Sequence, residues 1–323
     1  MIRYIVKRLL IMIPILLGIS FIVLVLIDLA PGDVARSIVG PEAEEWQYEQ
    51  VRSDLHLDDP LMIRYLRFIG NAFKGNFGSS FITKTDVRGD LLKRFPYTVY
   101  LATMSVILAV LLGIPIGIYA ATHQYSWKDN AAILLSLICV SMPSFWFALI
   151  LAQVFAVKLK VLPPFGIESW KGWIMPTVSL ALGYTASIAR QMRSNMLEVI
   201  RQDYITTARA KGQSEYKILY RHALKNALIP VITIVGGLFG LALGGALIAE
   251  TIFSVPGLGK YTLVALTNRD YPAIQGGVLF ISVVHCLVIL LIDIAFAFVD
   301  PRIRSQYISK KKKNARKLEA KEG

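Results

Sequence analysis

Residues 203–230 read DYITTARAKGQSEYKILYRHALKNALIP, from Asp203 to Pro230, and lie between two long apolar segments. The stretch is polar and basic, and it has no proline before its last residue, so helix can continue through most of it. Gly212 offers a break between two helical pieces. Spanning a bilayer does not require such an insert. We therefore interpret it as a loop that contacts something in the cytoplasm; an amphipathic helix on the membrane surface is the alternative.

The rest of the chain has the composition of a membrane protein. Of its 323 residues, 55% are hydrophobic and 18% are charged. Six stretches have the length and low charge of a spanning helix, which needs about 20 apolar residues. This pattern predicts an all-α polytopic membrane protein with six transmembrane helices. We expect them at residues 9–27, 97–122, 131–157, 172–189, 227–249 and 271–299, the fourth being the shortest.

The placement of lysine and arginine predicts the orientation, because short positive loops stay in the cytoplasm. Arg3, Lys7 and Arg8 precede the first span, and basic residues outnumber acidic ones by eight to three in residues 190–225. With six spans, the N and C termini are both predicted to be cytoplasmic. The net charge of +13 then requires no nucleic acid: the lysines of the tail either are solvated and fix the topology or bind acidic membrane lipid.

Four parts follow from this layout. Residues 1–30 form the cytoplasmic start and the first span, and residues 31–95 form an extracytoplasmic subdomain. Residues 96–300 form a core of five helices that contains the cytoplasmic loop 190–226, and residues 301–323 form a basic tail.

A connection as long as 31–95 is uncommon unless it has a role. Docking of an external partner is the functional interpretation, and a passive helical cap on the outer membrane face is the alternative.

The sequence predicts no catalytic residue, metal site or cofactor. Residues 256–261 (PGLGKY) lack the first glycine and the final Ser or Thr of a phosphate-binding loop, and the four histidines show no metal-ligand spacing. Charged residues near the hydrocarbon region are costly and are therefore functional candidates. Asp28 and Glu250 lie at outer ends of spans, where water is near, so we expect structural roles. Asp293 lies deeper, and a proton relay there is a remote alternative.

Glycine spacing predicts close packing of helices. Gly113 and Gly117 are four residues apart, as are Gly236, Gly240 and Gly244. Small residues at this spacing let helix backbones approach each other within a membrane, where no hydrophobic force drives association. We expect tight helix contacts at both places.

A candidate transport pathway lies in the third predicted span. Ser141, Pro143 and Ser144 bring two hydroxyl groups and a helix-breaking proline into an apolar segment. We predict that they kink the helix into the pathway; packing alone is the alternative.

Several short motifs accompany the basic loop. Thr206-Thr207-Ala208 is followed by Gly212, and the loop closes on Leu228-Ile229-Pro230. Together with the motifs below, this resembles the permease subunits of ABC importers of the dipeptide/oligopeptide/nickel branch. In that superfamily Glu-Ala-Ala stands at 206–208, and its closing Leu-Pro lies several residues earlier. The other matching motifs are YIVKRLL (4–10), APGD (30–33), NFGSS (76–80), ETIFSVPGLG (250–259), RDYP (269–272) and DPRIR (300–304).

The resemblance implies the type I ABC importer permease fold and the first of two permease subunits, the type with a long first outer loop. It implies a bacterial inner membrane and partners: a second homologous permease, two cytoplasmic ATP-binding subunits and an extracytoplasmic solute-binding protein. ATP hydrolysis would take place on the separate ATP-binding subunits, so this chain is not expected to be an enzyme.

By the same resemblance, the chain is the pore-forming subunit of an ATP-driven importer of di- and oligopeptides, coupled to ATPase closure through the loop around Gly212. An importer of nickel, glutathione or another small solute is the alternative, and a proton-coupled carrier that uses Asp293 is a remote one. The implied ATPase interface is Thr207, Ala208, Arg209, Ala210, Lys211, Gly212, Gln213, Ser214 and Glu215.

Overall fold

The computed structural model describes residues 2–29, 34–40, 43–54 and 56–299. The motifs at 30–33 and 300–304 and the basic tail 301–323 lie outside the described residues. Within them the chain forms helices and their connections, with one isolated β-bridge between Ser79 and Asp86. The predicted all-α class is confirmed.

The N-terminal part consists of one long helix followed by three short ones. The short helices lie within the predicted subdomain 31–95. Their bounds are α1 Ile2–Leu29, α2 Val34–Val39, α3 Glu45–Asp54 and α4 Leu61–Phe73.

The central part begins with the longest helix of the described chain, α5 Val87–Thr122. This helix starts well before the predicted residue 97, because Asp86 caps it: the backbone N–H of Gly89 donates to the Asp86 carboxylate at 2.8 Å. The elements that follow are α6 Trp127–Ser141, α7 Ser144–Leu151 with a π-helical continuation Ala152–Lys158, a 3-10 turn Trp170–Trp173 and α8 Ile174–Ile200.

The C-terminal part contains the basic loop and the last long helices. Its elements are α9 Asp203–Ala210, α10 Glu215–Lys217 with a π-helical continuation Ile218–Ala223, α11 Leu224–Gly245, α12 Leu247–Ile252, α13 Leu258–Thr267 and α14 Tyr271–Val299.

Four continuous helices in the described residues are long and apolar enough to cross a membrane: Ile5–Leu29, Val87–Thr122, Glu215–Gly244 and Tyr271–Ala295. The third predicted span is bent by 98° between Trp127–Ser141 and Ser144–Lys158, and would count as a fifth crossing. The fourth predicted span lies in α8, which is not among these helices and which continues beyond the predicted end at Ala189 to Ile200. On these criteria the structure supports four or five spans, where the sequence predicted six.

Contacts divide the chain into two units. The first comprises Met1–Leu108, Val140–Gly183 and Phe239–Cys286, and the second comprises Ala109–Cys139, Tyr184–Leu238 and Leu287–Gly323. Two hydrophobic clusters form the core of the first unit. One joins α1, α5, α13 and α14 through residues such as Ile27, Leu91 and Leu258, and the other surrounds Phe253.

Glu250 of α12 connects helix α5 to the start of α13. It has no exposed surface, which corrects the expectation that water is near it. The Thr98 hydroxyl donates to its Oε1 at 2.6 Å, and the backbone N–H of Lys260 donates to its Oε2 at 2.9 Å. A Cβ at Gly257 would lie 2.2 Å from this carboxylate, so only glycine fits. These contacts support the structural role that we expected.

In the second unit, α5 and α8 meet at Gly113 and Gly117. A Cβ at Gly113 would lie 2.9 Å from the Ile188 side chain, and one at Gly117 would lie 2.6 Å from the carbonyl oxygen of Ala189. The predicted close approach of α5 is therefore confirmed. On α11, a Cβ at Gly236 would lie 2.6 Å from Ile292 of α14, whereas Gly244 has nothing within 4 Å.

Candidate functional site

The basic loop folds as a short helix followed by a tight reversal. α9 begins at Asp203, whose carboxylate suits the positive end of the helix dipole. The helix ends at Ala210, and Gly212 adopts a φ of +72°, a left-handed conformation that glycine reaches at the lowest cost. The N–H of Gly212 donates to the carbonyl oxygen of Arg209 at 3.0 Å. The break predicted at Gly212 is confirmed.

One face of α9 packs on the chain itself. Ile205 is 0% exposed and Ala208 is 7% exposed, and α9 contacts the π-helical segment Ile218–Ala223. Both ends of that segment, Ile218 and Ala223, are also buried. Ile205 and Ala208 are therefore covered within the protein, and the other residues of α9 are left to solvent.

The nine residues predicted for the ATPase interface do not share one environment. Ala208 lies on the buried face of α9. Gln213 is half-buried, and its Oε1 accepts a hydrogen bond from Nε2 of His222 at 2.8 Å. The other seven are exposed: Thr207, Arg209, Ala210, Lys211, Gly212, Ser214 and Glu215.

Hydrogen bonds tie the two ends of the loop together. Nδ2 of Asn226 donates to the Tyr204 hydroxyl at 2.7 Å, which connects the start of α9 to α11. Just before the loop, Nδ2 of Asn195 on α8 donates to the carbonyl oxygen of Ala227 at 3.1 Å, and Asn195 is buried. The loop thus leaves and rejoins the second unit at the same place.

An ion pair spans the turn at Gly212. Nε of Arg209 lies 2.6 Å from Oε1 of Glu215, and a second nitrogen lies 3.2 Å from Oε2. The hydrogen bonds to Glu215 raise the pKa of the Arg209 guanidinium above its ordinary value. Both side chains remain exposed, so these charges are accessible to a partner.

A buried ion pair at the base of the loop was not predicted from the sequence. Nε and one terminal nitrogen of Arg193 on α8 lie 2.5 and 2.6 Å from the two carboxylate oxygens of Asp129 on α6. The N–H of Asp129 donates to the Ser126 hydroxyl at 3.3 Å, so Ser126 caps α6. The spacing Ser126-x-x-Asp129 is a capping signal, and it could have located the start of α6 but not the partner on α8.

The candidate pathway residues lie at the break between α6 and α7. α6 ends at Ser141, and Pro143 has extended backbone angles of φ −59° and ψ 129°, after which α7 begins at Ser144. Ser141, Pro143 and Ser144 are all exposed within the chain. The kink is observed, and its physical reason is that proline cannot continue the hydrogen-bonded helix, whereas the pathway role of these residues stays a prediction.

The remaining polar candidates have structural partners. Asp28 forms an ion pair with Arg64 of α4 at 2.6 Å, as expected for a structural role. His285 donates from Nδ1 to the carbonyl oxygen of Gly240 at 2.9 Å, which joins α14 to α11. No group of three or more metal-binding side chains occurs in the part of the chain that the structure describes.

Comparison with known families gives two matches that together cover most of the chain. Residues 113–305 match the family described as binding-protein-dependent transport system inner membrane component. Residues 1–102 match the N-terminal family of the corresponding membrane components.

Among curated proteins, the chain is similar to glutathione transport system permease proteins GsiC. The protein from Salmonella paratyphi A is 40% identical over 304 residues, which is 94% of this chain and 99% of the relative. The protein from Escherichia coli strain K12 is 39% identical over the same share of each chain.

Among solved structures, the chain is similar to the MetNI methionine ABC transporter in an inward-facing conformation, at a TM-score of 0.53 and 17% identity over 65% of this chain and 96% of the other. It is also similar to an amino acid ABC transporter, at a TM-score of 0.50 and 16% identity over 66% and 94%. At this identity the likeness concerns the fold alone. The type I importer permease fold is confirmed.

Proposed function

Because the chain belongs to the family of binding-protein-dependent transport system inner membrane components, we propose that it forms the pore through which an ATP-driven importer moves short peptides. It is a multi-pass permease subunit of an ABC importer. Membership in this family leaves no support for a proton-coupled carrier that uses Asp293.

The exposed side of the loop 203–215 carries the proposal for coupling. Its seven exposed residues surround an open turn at Gly212, where an added methyl group would meet nothing within 4 Å. A helix lying on a membrane needs an apolar face turned outward, and the apolar residues Ile205 and Ala208 of α9 are buried instead. The geometry favours a protein partner over a lipid surface.

We assign Thr207, Arg209 and Lys211 with their exposed neighbours to the contact with the ATPase, and Ala208 and Gln213 to holding the loop in place. Two exposed tyrosines extend this surface: the rings of Tyr216 and Tyr220 are in contact, with centroids 4.6 Å apart and planes tilted by 38°. Aromatic and arginine side chains are enriched at the centres of protein interfaces.

The proposed assembly follows from the same assignment. The chain pairs with a second homologous permease, binds two ATP-binding subunits through its loop and receives solute from a binding protein. It lies in a bacterial inner membrane with both termini cytoplasmic, so residues 31–95 face outward, residues 96–300 form the core and residues 301–323 are a basic cytoplasmic tail.

The proposed substrate class is short peptides. Relatives at 39–40% identity are named for glutathione transport, and glutathione is a tripeptide with a γ-linkage. Glutathione therefore resembles di- and oligopeptides with ordinary linkages: each is a short peptide backbone with charged groups at its ends.

Uptake by the complete importer in proteoliposomes tests the substrate class. We expect ATP-dependent uptake of labelled glutathione or of a labelled dipeptide, with each unlabelled peptide competing according to its affinity. Uptake of nickel chelates without any uptake of either peptide would contradict the proposal. Transport that continues after ATP is depleted would contradict the mechanism.

Substitutions at Gly212 test the coupling loop. Alanine at position 212 adds strain of about 1 kcal/mol with little bulk, and tryptophan adds both the strain and a large side chain. Asparagine tolerates the left-handed conformation and adds a side chain of moderate size. We expect Gly212→Trp to lose most ATP-driven uptake while its insertion into the membrane stays normal, and Gly212→Ala to lose little. Equal uptake by the Trp and Ala variants would mean that bulk at this position does not matter, against the assigned interface.

A further inference from the structure

Helix α4 carries an apolar stripe that the chain leaves uncovered. Met62, Leu66 and Phe73 are 54%, 62% and 79% exposed, and Ile69 between them is half-buried. The spacing of four, three and four residues places all of them on one side of a helix. In water, such a side would expose a continuous row of large apolar side chains.

A second side of α4 is fixed to the transmembrane helix α1. The Tyr65 hydroxyl donates to the carbonyl oxygen of Leu17 at 2.8 Å, and its ring meets Phe21 edge-on at a centroid distance of 5.2 Å. One position earlier, Arg64 forms its ion pair with Asp28 at 2.6 Å. These contacts define both the position of α4 along α1 and its rotation.

The third side of α4 is polar. Asn71 is exposed, and the exposed guanidinium of Arg67 binds Asp59 at 2.6 Å. At 100° per residue, Asn71 lies opposite Met62 on the helix. The side facing α1 lies between the apolar stripe and the polar side, as in a helix at a boundary between two solvents.

The contacts with α1 place α4 at the depth of the hydrocarbon. α1 can cross a membrane between Ile5 and Leu29, and Leu17 lies at the middle of that span. At 1.5 Å per residue, Leu17 is about 18 Å below Leu29, whereas the hydrocarbon core is about 30 Å thick. Tyr65 therefore reaches below the level of the headgroups on the side where α1 ends, and the Arg64–Asp28 pair keeps α4 next to that end.

We propose that α4 is an interfacial anchor, embedded in the leaflet at the C-terminal end of α1, with the stripe Met62, Leu66, Ile69 and Phe73 against phospholipid acyl chains. Its polar side, with Arg67 and Asn71, faces water. The stripe is thus a lipid-binding surface, and a soluble partner of residues 31–95 has to dock elsewhere. Helix α3 suits that purpose, because none of its residues with a described environment is buried.

Fluorescence quenching in the complete importer tests the anchor. Leu66→Cys and, as the polar-side control, Asn71→Cys are made in a background that lacks the two free cysteines Cys139 and Cys286. Each is labelled with bimane and reconstituted in phosphatidylcholine nanodiscs. Bromine in the middle of the acyl chains should lower the Leu66→Cys signal by more than half and leave Asn71→Cys nearly unchanged, and aqueous iodide should do the reverse.

Two outcomes would overturn the proposal. Quenching of Leu66→Cys by iodide and not by brominated lipid would show that the stripe faces water and is free for a soluble partner. If Leu66→Cys cannot be labelled, or if neither reagent quenches it, another subunit of the importer covers the stripe. Both substitutions are at exposed positions, so neither is expected to prevent folding.

Discussion

Two arginine–carboxylate pairs in the second unit have similar geometry and different surroundings. Arg193 meets both oxygens of Asp129 at 2.5 and 2.6 Å, and Asp129 is only 1% exposed. Arg209 meets both oxygens of Glu215 at 2.6 and 3.2 Å, but these side chains are 47% and 60% exposed. Water and salt screen the second pair, whereas the first has replaced most of its hydration.

The difference separates the base of the loop from its tip. The buried pair joins the start of α6 to α8, shortly before α8 ends at Ile200 and the loop begins. The exposed pair spans the turn at Gly212, and either partner can form a new contact without leaving an uncompensated buried charge. A rigid base with an adjustable tip suits the coupling role that we propose for this loop.

Breaking the buried pair should have the largest effect on stability. Asp129→Ala leaves the Arg193 guanidinium without its counter-ion in a largely buried place, and we expect the free energy of unfolding to fall by about 3 kcal/mol. Denaturant titration of the purified importer measures this change.

The matched control replaces both partners. Asp129→Leu combined with Arg193→Leu leaves no buried charge and should recover most of the lost stability, because apolar pairs can substitute for buried ion pairs. A double variant that is less stable than Asp129→Ala would mean that the pair contributes specific geometry that packing cannot replace.

The close contact beside this pair should come next in size. A Cβ at Gly117 would lie 2.6 Å both from the Ala189 carbonyl oxygen and from Met192 Cβ, so α5 and α8 have to separate. We expect Gly117→Ala to lower the free energy of unfolding by about 2 kcal/mol. The control is Gly237→Ala in the same unit, which has nothing within 4 Å and should be neutral or slightly stabilising.

The sequence predicted helices well where their composition is apolar and predicted their ends poorly. The span 271–299 coincides with α14, Tyr271–Val299. α5 and α8 both extend into polar sequence beyond the predicted spans. Hydropathy missed these extensions, because it does not account for the capping of α5 by Asp86 or for the neutralisation of the Arg193 charge within the fold. Hydropathy measures solvent preference, whereas a helix continues wherever its polar residues find partners.

The candidate site was predictable to the extent that single residues determine it. Gly212 and Pro143 mark their breaks through backbone chemistry alone. The pair Asp129–Arg193 was missed because its members are 64 residues apart and no local pattern connects them. For the same reason, the burial of Ala208 depends on Ile218–Ala223 and could not be deduced from α9.

The exposed pair should have the smallest effect on stability and thereby provides the sharpest test of the comparison. Arg209→Ala and Glu215→Ala should leave the unfolding midpoint unchanged, because exposed ion pairs contribute little. If Arg209 also binds the ATPase, Arg209→Ala should reduce ATP-driven uptake more than Glu215→Ala does, since Glu215→Ala leaves the guanidinium free for the partner. Equal losses of uptake would mean that the pair acts only by shaping the turn. A fall in the unfolding midpoint as large as that of Asp129→Ala would remove the distinction between base and tip.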